Sequence, residues 1–202
     1  MKLLSIQIPT IVGRERNVSA LVAFLNWQIS SFCIPDHVVE IRTCRDNKEM
    51  SIGAKRQLLL DKCNAKYFVQ IDDDDTVSGE YIPRIYSTLS SLPDCVGYLE
   101  SVRYDGKQLT ACHSNRFDDW GNNVDGYDLA RTIFCKDVIR TGIARQIGFS
   151  DMRFGEDHDF SRRLKASGLL KNEVFIDEVM YYYEGRSLTQ KEHNERYGIY
   201  NN

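Results

Sequence analysis

The sequence lacks most of the features that would set it apart from ordinary globular proteins. Only 4 prolines fall in 202 residues, so few breaks are forced on the chain. There is no repeat, low-complexity tract or linker, which predicts a single domain able to bury a core. No apolar run approaches the roughly 18–20 residues of a membrane span. The start, Met1-Lys2-Leu3-Leu4, soon reaches polar Ser5 and Gln7 and reads as a first strand, not a signal peptide. Positive charge is not in excess: 26 Lys and Arg against 29 Asp and Glu leave a net −3. That weakens any reading as a protein gripping long stretches of nucleic-acid backbone, although a local basic face would not show in the total. None of the 6 cysteines belongs to a Cys-x-x-Cys pair or stands beside a histidine at zinc-ligand spacing. They are expected to be small core residues kept reduced in a cytoplasmic protein.

What is present is alternation. A strand is expected over residues 3–8, ended by Pro9-Thr10, followed by a polar loop through Arg14. Val18, Leu21, Val22, Leu25 and Ile29 recur at helical spacing. A β-branched strand follows over 38–43, then a helix over 51–64 with Ser51 as N-cap. Tyr67-Phe68-Val69-Gln70-Ile71 has the near-continuous apolarity of a buried parallel strand, and residues 79–89 read as a helix. Strand and helix alternating three times argue for an α/β domain with a largely parallel sheet. The second half is mixed. Asp105-Gly106 joins two strands as a hairpin, helices are expected over 137–147 and 157–170, and a last strand over 173–183.

Directly after the apolar strand comes Asp72-Asp73-Asp74-Asp75. Ligands of open parallel sheets bind beyond the carboxyl ends of the strands. Four adjacent carboxylates repel one another unless positive charge lies among them. Mg²⁺ or Mn²⁺ with oxygen ligands meets that need and can make a diphosphate a better leaving group. An acidic turn capping the next helix is the plainer reading. An EF-hand loop is excluded, because its sixth and twelfth positions would be Val77 and Pro83 in place of Gly and Glu.

Gly53-Ala54-Lys55-Arg56-Gln57, a helix, and then the strand with its four aspartates resemble the family 2 glycosyltransferases of GT-A fold. The likeness extends to Ile8-Pro9-Thr10, Arg14, Asp46 and Gly155-Glu156-Asp157-His158-Asp159, and covers residues 1–185. It implies one GT-A domain, with a nucleotide-sugar half over 1–95, an acceptor and catalytic half over 96–185, and a tail over 186–202. It implies that Thr10 and Arg14 touch the nucleotide, that Asp46 bonds the base, usually uracil, and that Lys55 and Arg56 lie near the nucleotide. Asp72 and Asp74 match the DxD pair. Asp74 is expected to ligate the metal, with Asp72 nearer the ribose or a metal-bound water and Asp73 on the donor side. Ordinary readings stand beside these: a solvated helix face for Lys55 and Arg56, strand termination for Thr10, a polar loop for Asp46.

Asp157 matches the family's catalytic base. A carboxylate on the acceptor side can take a proton from a hydroxyl as its oxygen attacks the anomeric carbon, inverting the configuration in one displacement. Helix capping is the alternative for Asp157. Glu156 is expected to orient the loop or an acceptor hydroxyl, and His158 to be a base, a ligand or simply a polar neighbour. Trp120, in Trp120-Gly121-Asn122-Asn123, either stacks on a sugar or base or anchors its loop; His113 precedes it. Arg186, after a tyrosine cluster, is expected to reach the diphosphate. Ile133-Phe134-Cys135-Lys136 is similar to small phage and giant-virus members. The implied partners are a nucleotide-sugar donor and an acceptor that is a glycan, a protein or a hydroxymethylated DNA base. Two rival functions remain: a Mg²⁺-dependent nucleotidyltransferase, and a non-catalytic nucleotide- or sugar-binding module.

Overall fold

The computed structural model describes residues 2–185. The chain runs β1 (Leu4–Ile11), α1 (Glu15–Ser31), β2 (Val39–Asp46), α2 (Ile52–Asp61), β3 (Tyr67–Gln70), β4 (Thr76–Val77) and α3 (Tyr81–Thr88). Then come β5 (Cys95–Tyr104), β6 (Lys107–His113), β7 (Gly121–Val124), β8 (Tyr127–Arg131), β9 (Val138–Arg140), α4 (Thr141–Ile147), α5 (Glu156–Ser167) and β10 (Glu173–Gly185). One mixed sheet has the order β2-β1-β3-β9-β5-β6-β8-β7. β1 is parallel to both β2 and β3. One edge of β5 takes β9 at its start and β6 further on, while β10 runs parallel along the other.

Helices cover both faces of the sheet. Ile6, Ile8 and Val69 pack with Leu21 and Leu25 of α1 and with Ile82 and Ile85 of α3. On the other face Phe68 meets Leu60 of α2, Ile143 of α4, and Phe160 and Leu164 of α5. Every residue of β3 is buried, which accounts for its near-continuous apolar run, Gln70 being the polar exception. Each such fully buried large side chain stabilises the fold by about 1.5–3 kcal/mol. Ser51 caps α2 as expected, its hydroxyl accepting from the Ala54 amide, a contribution of about 1 kcal/mol.

Three expectations are corrected. Pro9-Thr10 does not end the first strand, which runs on to Ile11 beside β2. Pairing with β3 stops at Gln7, so Pro9, with no N–H to donate, stands at an edge β3 has already left. Residues 138–140 are not helical. Val138 and Ile139 are β-branched and fill the gap between β3 and β5, and only then does α4 begin. The Gly/Asn segment after Trp120 is a strand, not a loop. β7 and β8 form a hairpin whose Asp125 and Gly126 both take positive φ, as a tight two-residue turn demands. The same dipeptide was legible at Asp105-Gly106.

Of the six cysteines, Cys63, Cys95, Cys112 and Cys135 are buried, Cys44 is half-buried and Cys33 is exposed; all are free thiols. Among the described residues no helix is long and apolar enough to cross a membrane.

Candidate active site

The carboxyl ends of β2, β1 and β3 lie side by side. They bring Asp46, Thr10 and the four aspartates to one edge of the sheet, and the start of α2 adds Lys55 and Arg56. Two clefts open there. The larger, of about 610 Å³, has Arg56, Asp72, Glu100, Lys136, Glu156 and Asp157 among its lining residues. The smaller, of about 440 Å³, is walled by Pro9, Ile11 and Met50 and carries Arg14, Asp72 and Asp74. Ile52, Arg56, Asp72, Arg153 and Phe154 line both, so the clefts meet at Asp72.

The four aspartates divide by direction. Asp73 and Asp75 are buried, although Asp73 still borders the smaller cleft. Asp73 accepts from the Thr10 hydroxyl and from Arg14 at 2.6 Å. Asp75 accepts from Lys136 at 2.9 Å and from the Tyr181 hydroxyl at 2.6 Å. Asp72 and Asp74 face the clefts. Asp72 is held by Arg56 at 2.8 Å, and Asp74, with a side chain 53% exposed, by Arg14 at 3.0 Å. Arg14, Arg56 and Lys136 thus lie among the aspartates, and much of the expected repulsion is relieved by the protein itself.

These pairs belong to a longer chain of alternating charge beneath the larger cleft. His113, fully buried, lies between Asp137 at 3.0 Å and Glu100 at 3.1 Å. Glu100 also accepts from Lys136, and Arg56 ties Asp72 to Glu156, at 3.0 Å from the latter. Burial alone would lower the His113 pKa. The two carboxylates outweigh it and raise the ring to about 9, so His113 is an imidazolium at neutral pH. Burial would raise Glu100, but Lys136 and His113 draw it down to about 2. Burial would lower Lys136, yet Glu100, Asp75 and Asp72 raise it. Burial lifts Asp75 to about 6 against the pull of Lys136. Lys136 is further enclosed by the rings of Tyr181 and Tyr183, at 4.4 and 4.5 Å.

Asp157 differs from these neighbours. It lines the larger cleft in the first turn of α5. Its carboxylate accepts from the adjacent His158 amide at 2.8 Å, and among the described residues no cation pairs with it. Glu156 is buried and directed at Arg56, so it braces the site rather than facing the cleft freely.

The other expected residues fall as follows. Lys55 and Arg56 are both buried, so neither is a solvated helix face. Lys55 donates to the Thr10 carbonyl at 2.7 Å and pairs with Asp46, which also accepts from the Met50 amide. Asp46 therefore stands behind Lys55 and lines neither cleft. His158 pairs with Asp119 at 2.8 Å and also lines neither. Trp120 lines the larger cleft, but its indole donates to Ser161 and it packs against Phe134, His158 and Arg131, which anchors it. Arg186 lies outside the described residues.

Residues not singled out as site candidates complete the clefts. Glu100 was visible only as a charge inside an apolar run, and Lys136 as such a charge closing the Ile133-Phe134-Cys135-Lys136 segment; charges of this kind are rarely buried without a partner. Arg131 and Arg153 carried no local signal.

No family model matches this chain, and neither does any curated protein. Solved structures do. S. aureus TarS 1-349 in complex with UDP-GlcNAc aligns with a TM-score of 0.61 at 14% identity, over 93% of this chain and 60% of that one. Its complex with UDP gives 0.61 at 14%, over 96% and 62%. At this identity the likeness shows the fold, which is the GT-A fold expected from the sequence. This chain spans about 60% of the length of those TarS chains.

Proposed function

We propose that this chain is an inverting, metal-dependent glycosyltransferase of the family 2 type. It moves a hexosyl group from a UDP-sugar to an acceptor hydroxyl on a glycan, a protein or a hydroxymethylated DNA base, as a cytoplasmic enzyme. One observation carries the reading: Asp72 lines both clefts, while Asp157, free of any contacting cation among the described residues, lines the larger one only. A donor laid across Asp72 has its nucleotide in the smaller cleft and its sugar near Asp157. That TarS structures hold UDP-GlcNAc and UDP supports this choice of donor.

The residues fit a divalent cation in one particular way. Among the described residues no group of three or more His, Cys, Asp or Glu is set to hold a metal by itself. Asp72 and Asp74 are two carboxylates directed at the clefts. Mg²⁺ and similar ions are commonly held by one or two carboxylates together with substrate phosphates. Asp74 and Asp72 would therefore hold Mn²⁺ or Mg²⁺ jointly with the donor diphosphate. When bound, such an ion neutralises the charge that develops on the leaving diphosphate. Pro9, Ile11 and Met50 give the nucleotide an apolar wall, and Arg14 and Arg153 supply positive charge for phosphate oxygens. Arg56 fixes Asp72 and Glu156 together. In the larger cleft Asp157 accepts the proton of the acceptor hydroxyl. The oxygen bonds to the anomeric carbon, and the electrons of the breaking C–O bond leave with the diphosphate on the opposite face.

The test is a thermal-shift panel of UDP and UDP-sugars with and without Mn²⁺. A ligand at about 100 times its dissociation constant stabilises the native state by about 2.7 kcal/mol, or several degrees for a chain of this size. Because the protein alone offers an incomplete metal site, Mn²⁺ and UDP together should raise the midpoint by more than the sum of their separate shifts. No shift with any donor, with or without metal, would refute the reading.

A further inference from the structure

The cations of the two clefts are not equally provided for. Arg14, Lys55, Arg56 and Lys136 each touch at least one carboxylate. Lys48, Arg131 and Arg153 touch none among the described residues. Lys48 and Arg153 are exposed and keep their water. Arg131 is different, because it is half-buried in the wall of the larger cleft. Its Nη1 donates to the carbonyls of Gly121 at 3.1 Å and Ala130 at 2.8 Å, and the guanidinium lies 4.9 Å from the centre of the Trp120 ring. These contacts fix its plane and leave Nη2 and Nε without a hydrogen-bond partner among the described residues. The nearest carboxylates lend little. Glu100 is already bonded to His113 and Lys136, and Asp157 exerts only a through-space attraction. Burial accordingly outweighs both and lowers the Arg131 pKa. Every other buried cation here is paired, as the expense of an uncompensated buried charge requires. A guanidinium held in place, partly desolvated and presenting a free edge is suited to bidentate binding of a phosphate or carboxylate.

We propose that Arg131 forms an anion subsite in the acceptor cleft, so that the acceptor carries a phosphate or carboxylate as well as the reacting hydroxyl. The proposal rests on the glycosyltransferase reading for the word acceptor, but the subsite itself does not. Arg131 lines only the cleft that holds Asp157, whereas the donor's own phosphates belong at Asp72, Asp74 and Arg14. The anion and the hydroxyl therefore share one cavity of about 610 Å³, which falls within the usual range for a small-molecule site.

The test uses the full chain and three probes that differ only in the group at C6, neutral in glucose and anionic in glucose 6-phosphate and glucuronate. Each is titrated calorimetrically, first with UDP and Mn²⁺ present to occupy the donor contacts and then without them. At least one anionic probe should bind about tenfold or more tightly than glucose, the size expected for a charge-assisted hydrogen-bonded pair. Which of the two binds tells phosphate from carboxylate. Arg131→Gln should abolish the preference while leaving UDP affinity within about twofold. Arg131→Lys, which keeps the charge but not the fork, should retain part of it. Equal binding of all three probes to the native protein would overturn the proposal, as would a preference that survives Arg131→Gln. Failure to bind UDP would count against the donor reading alone, since the comparison of probes is also made in its absence.

Discussion

Arg56 bonds Asp72, Glu156 and Gln70 with a single buried guanidinium. Replacing it with methionine keeps much of the volume but leaves Asp72 and Glu156 without their cation. Breaking a buried pair on one side destabilises by about 3–5 kcal/mol. Arg56→Met should lose stability on that scale in urea unfolding, and Asp72→Asn, with its partly exposed side chain, should lose less. His113 makes a prediction about pH. Its folded pKa of about 9 lies above the ordinary value of 6.5. A raised pKa means that the folded state holds the proton more tightly, so this stabilisation is complete below about pH 6.5 and is lost as pH rises through about 9. Unfolding free energy should fall across that window, and His113→Gln, less stable at pH 6, should show a flatter decline. A slope unaltered by the substitution would count against a charged His113.

At the scale of elements, the site depends on a contact between α2 and the segment leading into α5. A Cβ added to Gly53 would lie 1.9 Å from the Ser150 carbonyl oxygen and 2.9 Å from the Met152 amide. The Gly53 amide also donates to the Met152 carbonyl at 3.0 Å. Arg153, Phe154 and Asp157 all follow this docked stretch. Gly53→Ala must push the segment off α2, with an overpacking penalty of about 1–3 kcal/mol. Turnover should suffer more than UDP affinity, because the displaced segment carries Asp157 and, of the proposed donor contacts, Arg153, while Arg14, Asp72 and Asp74 stay in place. Donor titration and turnover assays on the same preparation separate the two effects. Gly53 was recognisable in sequence only as part of a motif; the reason glycine is needed is a tertiary contact across about a hundred residues, which no local pattern encodes. The same limit explains the misread helix at 137–147. Val138 and Ile139 suit either state locally, and the vacancy between β3 and β5 decides for strand.

For the molecule as a whole, the α/β alternation, the parallel direction of the first three strands, and the place of the acidic run beyond a strand end were legible, because each follows from hydrophobic period and topology. The two carboxylate sites were legible as motifs. What was not legible was how charge is shared between them. Sequence suggested that the aspartates need a metal, whereas Arg14, Arg56 and Lys136 already lie among them, and two of those aspartates are spent on the scaffold. This division makes Asp157, which lacks a contacting cation among the described residues, the group whose removal is most informative. The most direct measurement is the release of UDP from UDP-sugars, with Mn²⁺, by the native chain and by Asp157→Asn, alongside donor binding to both. Equal binding is expected, with a loss of turnover of about 10²–10⁴-fold, the usual contribution of a general base. Turnover by Asp157→Asn at the native rate would exclude Asp157 as the base.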